Sequence, residues 1–155
     1  MVSLFTFPGE GKVSPLRGKV RRYSRAVDFC LSLDNKDAEL EGAIRNNLMA
    51  CHLKLGEHLK VLKEADMLEK IQQLNAKAFY RRGCSEIALR RADTAVKTLT
   101  RAKELAPNDR AVLQALREAE VAVREAARDA KRIASRGLSG DVFGTERSNV
   151  MQKLV

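Results

Sequence analysis

The sequence predicts an all-α protein, a solenoid of helical hairpins closed by one long C-terminal helix. Aromatic residues make up 5% of the chain and tryptophan is absent, a composition that favours helices over sheets. Apolar residues recur at intervals of three and four from Arg21 to Arg136, the spacing of one helical face. A hairpin within Asn75–Asp109 has more apolar surface than its own core needs, so we expect it to stack on similar hairpins.

Asn75–Asp109 contains two short predicted helices joined by a tight turn. Their apolar or small residues are Ala78, Phe79, Gly83, Ile87 and Leu89, then Ala95, Leu99, Ala102 and Leu105. Gly83 and Ala95 are small where two antiparallel helices press together, and Pro107 stops the second helix. An aromatic residue, a glycine, two alanines and a proline at these intervals form the tetratricopeptide (TPR) pattern, which repeats about every 34 residues.

Residues 1–20 are predicted to be a flexible basic arm. Their breakers are Pro8, Gly9, Gly11, Pro15 and Gly18, a density that argues against a helix. From residue 21 to residue 34 the chain regains a helical pattern, with Tyr23, Ala26, Val27, Cys30, Leu31 and Leu33 on one face. We interpret 21–34 as half a repeat, the second helix of a hairpin whose first helix is missing.

Residues 37–70 are predicted to form a whole repeat, and 75–107 the next. Gly56 separates two helices in the first of these repeats. The predicted inward residues are Leu40, Ala43, Ile44, Asn47, Leu48, Cys51 and Leu55 on the first helix, and Leu59, Leu62, Ala65 and Leu68 on the second. Two whole repeats therefore follow the half repeat.

A single long helix is predicted over 110–136, followed by a disordered tail over 137–155. The helix carries a heptad-like stripe: Val112, Leu116, Ala119, Val123, Ala126, Ala130 and Ile133. Its first half should cover the apolar face of the last repeat, because the end of a solenoid must be shielded. Its second half is rich in alanine, so we expect it to project or to meet another protein. The TPR domain then spans 21–136.

The missing first helix of the first repeat has two explanations. Either the chain is a truncated copy of a longer protein, or that helix has been replaced by the segment with prolines and glycines. Truncation is the favoured explanation, since a solenoid that starts on a half repeat leaves an apolar face bare.

The net charge of +9 suits nucleic acid, an anionic membrane surface or an acidic peptide. No RNA-binding, zinc-finger or GxGxxG motif favours nucleic acid, and no apolar run reaches the roughly 18 residues of a membrane span. The three cysteines have no CxxC spacing and suit buried positions in a reducing compartment. We therefore predict a cytoplasmic protein with no membrane contact, no metal and no cofactor.

Two stretches, NNLMACHLKLGEHLKVLKEADMLEK and AKAFYRRG, resemble the TPR region of the immunophilin-type co-chaperones, the large FK506-binding proteins and cyclophilin relatives. Repeats of that family open with N-L-A-x-C-x-L-K-L and with K-A-x-Y-R-R-G. The resemblance covers about Tyr23 to Ile133 and includes polar positions that the fold itself does not need. It does not include the isomerase domain that many of those proteins carry before the repeats.

The resemblance implies a carboxylate clamp for the acidic C-terminal peptide, ending in EEVD, of heat-shock chaperones. Three clamp positions match residues here: Asn47, Lys77 and Arg81. Two more, a lysine and an asparagine on the first helix of the first repeat, would fall in Gly11–Pro15 and are not present as a helical pair. The resemblance therefore implies a partial clamp.

The spacing of the three residues supports the same chemistry independently. Asn47 and Arg81 are one repeat apart, so they project from equivalent points of successive helices, and Lys77 lies one turn before Arg81. An amide and two cations suit a carboxylate, since Arg binds it bidentately and Lys acts as a compact charge. Lys54 and Arg82 are candidate secondary contacts in the same groove.

The predicted function is a non-enzymatic adaptor, because no catalytic constellation is present in the sequence. A prolyl-isomerase domain would lie upstream in any longer form. One alternative is a structural protein that self-associates through the half repeat and the C-terminal helix. Another is a nucleic-acid binder that uses Arg21, Arg22 and the C-terminal helix, although nucleic acid is not the expected partner.

Overall fold

A computed structural model describes residues 14–33 and 37–138 of the chain. The described residues form six helices and no strand. They are α1 (Pro15–Ser32), α2 (Ala38–Lys54), α3 (His58–Lys70), α4 (Ala76–Ala88), α5 (Ala92–Leu105) and α6 (Arg110–Leu138). Each helix packs against the next along the chain, so the helices form a stack of antiparallel neighbours.

The six helices are arranged in two rows. In the inner row, α2 contacts α4 and α4 contacts α6. In the outer row, by contrast, α1, α3 and α5 make no contact with one another. Helices that are close in one row and apart in the other give a curved stack whose concave side is the inner row. The predicted all-α TPR solenoid is confirmed, with α2–α3 and α4–α5 as its whole repeats.

The first helix begins earlier than predicted. Helix α1 starts at Pro15, so the prediction of a flexible arm as far as residue 20 is wrong for residues 15–20. Proline is tolerated in the first turn of a helix because its missing N–H would have no partner there. Gly18 donates its N–H to the carbonyl of Ser14 at 3.1 Å. Neither Pro15 nor Gly18 therefore breaks the helix. Residues 1–13, the rest of the predicted arm, lie outside the described part.

Two local signals set the start of the first whole repeat and the turn inside it. Asp37 caps α2, since its carboxylate accepts hydrogen bonds from the backbone N–H groups of Glu39 and Leu40, both at 3.0 Å. Gly56 has a φ of 70° in the turn between α2 and α3, a conformation that glycine adopts without steric cost. The predicted break at Gly56 is confirmed.

Much of the core lies in two apolar clusters, one centred on α2 and α3 and the other on α5 and α6. The first contains Met49, Val61, Ala65, Leu68 and Ala78, and the second contains Ala95, Leu99, Ala115, Leu116 and Ala119. Met49 and Val61 are fully buried although the sequence pattern did not select them. Leu40 and Leu59 were predicted to be inward but are 48% and 65% exposed. On α3 the buried residues step from Val61 to Ala65 to Leu68, a stripe that shares two positions with the predicted one.

Gly83 allows α4 and α5 to approach each other closely. A Cβ placed on Gly83 would lie 2.4 Å from Cγ of Leu99 and 2.6 Å from its Cδ2. Cγ is the branch point of a fully buried side chain, so it has no space into which to move. The predicted role of Gly83 as a small residue between antiparallel helices is confirmed.

We expect Gly83→Ala to lower the free energy of unfolding by about 1–3 kcal/mol, because the added methyl group overpacks the α4–α5 interface. Gly18→Ala is the matched control. It also exchanges a helical glycine for alanine, but nothing lies within 4 Å of the new Cβ. The control should raise stability by up to about 1 kcal/mol through helix propensity. Urea denaturation of both variants measures the difference, and equal effects would contradict the packing argument.

Helix α6 covers the end of the stack and then extends past it. Val112, Ala115, Leu116 and Ala119 are buried against α4 and α5, which confirms the predicted capping role of its first half. Asp109 caps the helix by accepting from the N–H of Ala111 at 2.9 Å. Every residue from 124 to 136 is exposed, as expected for a projecting second half. The helix ends at Leu138 rather than 136, and the predicted tail beyond it lies outside the described residues.

Within residues 14–33 and 37–138, no helix combines the length and the apolar character needed to cross a bilayer.

Candidate functional site

The three predicted clamp residues lie on two neighbouring helices of the inner row. Asn47 is exposed in the middle of α2. Lys77 is exposed in the first turn of α4, and Arg81 follows it by one turn and is half-buried. Because α2 and α4 are in contact, the three residues lie on adjacent helices of the inner row.

Arg81 is held against α2 by hydrogen bonds. Its Nη1 donates to the backbone carbonyl of Asn46 at 3.2 Å and to Oδ1 of Asn46 at 3.1 Å. Burial lowers the pKa of the Arg81 guanidinium, although an arginine keeps its charge in a protein. No ion pair joins Arg81 to a carboxylate within the described residues. Among the residues that the structure describes, Arg81 is therefore a partly desolvated cation without an anionic partner.

Two other partly or fully buried arginines behave differently. Arg45 forms ion pairs with two glutamates, and Arg82 forms ion pairs with three carboxylates. A cation removed from water is costly unless an opposite charge compensates it. The described residues supply that compensation for Arg45 and Arg82 but not for Arg81, so the Arg81 guanidinium is suited to bind an external anion.

Arg82, the other candidate secondary contact, forms ion pairs with carboxylates of the chain itself, and its contact with a ligand stays a prediction. Its guanidinium pairs with Asp66 at 3.4 Å and Glu69 at 3.1 Å, both on α3, and with Glu86 at 3.3 Å. Burial opposes the charge, but the hydrogen bond to Glu69 and the nearby carboxylates raise the pKa of Arg82. Successive helical residues point in directions about 100° apart, so Arg82 faces the outer row while Arg81 faces the inner one.

Lys54 is exposed at the C-terminal end of α2. Its suggested contact with a ligand stays a prediction. The two further clamp positions of the co-chaperone family correspond to residues 11–15, of which only Ser14 and Pro15 are described. Neither is a lysine or an asparagine, so the described part of the site consists of Asn47, Lys77, Arg81 and the groups that support them.

A buried ionic triad supports α2 beside the site. Nε of Arg45 donates to Glu41 and Nη1 donates to Glu64, both at 2.7 Å. The side chains of Arg45, Glu41 and Glu64 are 5%, 7% and 13% exposed. Burial works against the Arg45 charge, yet the hydrogen bonds to Glu41 and Glu64 raise its pKa. Sequence reasoning missed this triad, although the four-residue spacing of Glu41 and Arg45 was a signal for one of its pairs.

The two histidines take part in packing between neighbouring helices. Nδ1 of His52 lies 2.7 Å from Oε2 of Glu57, across the turn between α2 and α3. Nδ1 of His58 lies 3.4 Å from the hydroxyl of Ser85 on α4. Within the described residues no three His, Cys, Asp or Glu side chains are grouped closely enough to hold a metal ion.

The turn between α2 and α3 should lose stability in acid. The hydrogen bond from His52, and then that from Lys60, holds the pKa of Glu57 below its usual range. Glu57 therefore stabilises the fold above the unfolded-state pKa of about 4.3, and this contribution is lost as the pH falls through the lower folded-state pKa. We expect the stability difference between the wild type and Glu57→Gln to shrink between pH 6 and pH 3. Urea titrations across that range measure it, and a constant difference would contradict the assignment.

Tyr80 and Cys84 lie next to the site on α4. Burial raises the pKa of both groups, which disfavours a reactive thiolate at Cys84. Cys30 and Cys51 are buried, and none of the three cysteines forms a disulfide. The expected packing role of the cysteines agrees with this burial.

Comparison with known proteins gives relatives among TPR co-chaperones. The chain is 30% identical over 101 residues to the Hsp70/Hsp90 co-chaperone cns1 of Schizosaccharomyces pombe, covering 63% of this chain and 28% of that protein. It is 28% identical over 124 residues to the peptidyl-prolyl cis-trans isomerase FKBP42 of Arabidopsis thaliana, covering 72% and 34%. It is also 36% identical over 72 residues to Outer envelope protein 61 of the same plant, covering 46% and 13%. No family model matches the chain.

The fold has a counterpart among solved structures. The Hsp90 co-chaperone Cns1 of Saccharomyces cerevisiae superposes with a TM-score of 0.61 over 80% of this chain and 41% of that one, at 18% identity. This likeness supports the TPR fold. The chain spans about a third or less of the length of the three curated relatives.

Proposed function

We propose that the chain is a co-chaperone adaptor that binds the acidic C-terminal peptide of heat-shock chaperones. The terminal carboxylates of the peptide, which ends in EEVD, contact Arg81, Lys77 and Asn47 on the concave face. Arg81 supplies a planar pair of donors, Lys77 a point charge and Asn47 an amide N–H. The site performs no chemistry and serves to hold two proteins together.

One observation carries this proposal. Arg81 is half-buried in the inner row and pairs with no carboxylate from residues 14–33 or 37–138, whereas Arg45 and Arg82 are saturated by acidic partners. An external carboxylate would supply the missing compensation, and a charge-assisted hydrogen bond in a partly desolvated site is worth more than one in water.

The relatives support the class of partner. The cns1 protein of S. pombe is named as an Hsp70/Hsp90 co-chaperone, and the resemblance of the inner-row motifs to immunophilin-type repeats points to the same peptide. The sequence carries a net charge of +9, which would attract an acidic peptide over a longer range at low ionic strength.

Calorimetric titration of the full chain with a peptide ending in EEVD tests the proposal. The control is the same peptide with an amidated C-terminus, which removes one carboxylate and leaves the sequence unchanged. We expect micromolar binding that amidation abolishes and that weakens as salt is added. Equal affinity for both peptides, or no binding of either, would overturn the assignment of the clamp.

A second candidate function is self-association through the projecting half of α6. Ile133 is 69% exposed there, and one flank of the helix carries Glu125 and Asp129 followed by Arg132 and Arg136. An antiparallel pairing of two copies would place the acidic half of each flank against the basic half of the other.

Sedimentation of the full chain over a range of concentrations tests this second function. Self-association predicts a dimer whose fraction rises with concentration and falls with Ile133→Asp. That substitution changes an exposed residue outside the core, so the fold should be retained. A monomer at every concentration would exclude the pairing and leave the peptide-binding function unaffected.

A further inference from the structure

Asn46 is the buried polar residue that Arg81 contacts. It lies on α2 and is 9% exposed. Its Nδ2 donates to the carbonyl of Gly42 at 3.3 Å, while its Oδ1 and its backbone carbonyl both accept from Nη1 of Arg81. The bond to Gly42 uses the amide N–H₂ and thereby turns Oδ1 towards Arg81. Asn46 thus connects the backbone of α2 to the guanidinium of α4.

The contact with Asn46 fixes one nitrogen of the Arg81 guanidinium. Both hydrogen bonds come from Nη1, and neither Nε nor Nη2 of Arg81 donates to a described residue. A free arginine side chain would lose rotamer freedom when it bound a ligand. Here part of that loss has already occurred on folding, and two nitrogens still have donors for a planar carboxylate.

The residue type at position 46 suits this arrangement. A carboxylate at the same point would hold Arg81 as firmly but would also neutralise it, as Glu41 and Glu64 do for Arg45. An apolar side chain would leave Arg81 with the backbone carbonyl of residue 46 alone. An amide accepts a hydrogen bond and adds no charge, so the guanidinium stays oriented and remains attractive to an anion.

We propose that Asn46 is a positioning residue, which orients Arg81 with its charge intact towards the terminal carboxylate of the bound peptide. This inference rests on the proposed function and adds to it a residue outside the Asn47, Lys77 and Arg81 set. Asn46 contacts no ligand in this proposal and acts through Arg81 alone.

A double-mutant cycle on the full chain tests the proposal, with the EEVD-ending peptide as the probe. Asn46→Ala should weaken binding by about three- to tenfold, the effect of releasing one immobilised side chain. In the Arg81→Ala background the same substitution should have no further effect, since it acts only through Arg81. In the Asn47→Ala background it should keep its full effect, because Asn47 contacts the peptide separately.

Asn46→Asp separates positioning from a purely structural role. The variant keeps an acceptor for Arg81 but adds a negative charge beside it, so peptide affinity should fall below that of Asn46→Ala. A residue that only joined α2 to α4 would tolerate aspartate at least as well as alanine, and that ranking would overturn the inference. Additivity of Asn46→Ala and Arg81→Ala would also overturn it. A wild-type chain that binds no peptide would contradict the proposed function and this inference together.

Discussion

Replacing Lys77 and Arg81 together by alanine is expected to lower the affinity for an acidic C-terminal peptide at least about a hundredfold. Each side chain offers a charge-assisted contact to the peptide, and Arg81 offers it from a half-buried position where the contact is screened less by water. Helicity should be retained, because neither residue belongs to the apolar clusters of the core and only the two hydrogen bonds from Arg81 to Asn46 are lost.

The matched control is the double variant Lys97→Ala, Lys103→Ala. This control also removes two positive charges, but from exposed positions on α5, in the outer row. The control should weaken binding only slightly, and only at low salt, since these charges act at long range. Equal losses in the two double variants would show that net charge, rather than the site, attracts the peptide. Unchanged affinity in the Lys77, Arg81 variant would contradict the clamp directly.

Arg45→Ala should be the most destabilising single substitution among those considered. It leaves Glu41 and Glu64 buried without their cation, and breaking a buried ion pair in this way costs about 3–5 kcal/mol. The variant should therefore unfold at a much lower urea concentration than the wild type, or fail to fold at physiological temperature. Chemical denaturation followed by circular dichroism measures the change.

Arg101→Ala is the control for Arg45→Ala. Arg101 pairs with Glu104 at 2.6 Å, but both side chains are more than half exposed. An exposed pair of this kind contributes up to about 1 kcal/mol, so the control should be close to the wild type. A loss for Arg45→Ala no larger than that of the control would contradict the structural role of the triad.

Several helix boundaries were predictable because the residues that set them act locally. Gly56 adopts a positive φ and Asp109 caps the next helix, and each of these signals depends on a few neighbouring residues. Pro15 and Gly18 were misjudged because both residue types count as breakers in a helix interior. Pro15 lies in the first turn, and Gly18 is accommodated within α1.

The core residues of α3 show a different limit. Two stripes on this helix, one through Leu59 and one through Val61, share Ala65 and Leu68, so periodicity alone does not choose between them. The neighbouring helices decide, and they bury Val61 and leave Leu59 exposed. The spacing of apolar residues along the chain carries no information about such contacts between helices.

The candidate site could be predicted only in part, because some of its contacts depend on packing between helices. Asn47, Lys77 and Arg81 followed from repeat spacing and from a family resemblance. The ion pairs of Arg82 with α3, and the contact of Arg81 with Asn46, join residues 13 and 35 positions apart in the sequence. These partners depend on how one helix packs on another, so spacing along the chain does not distinguish the saturated Arg82 from Arg81.

Nuclear magnetic resonance of the full chain, titrated with the EEVD-ending peptide, is the most direct test of the central claim. The account predicts chemical-shift changes at the Nε–H signal of Arg81 and the side-chain amide of Asn47, with surrounding changes confined to α2 and α4. The amidated peptide should produce much smaller changes at the same signals. Changes centred on residues 124–136 of α6, or no changes at saturating peptide, would contradict the account.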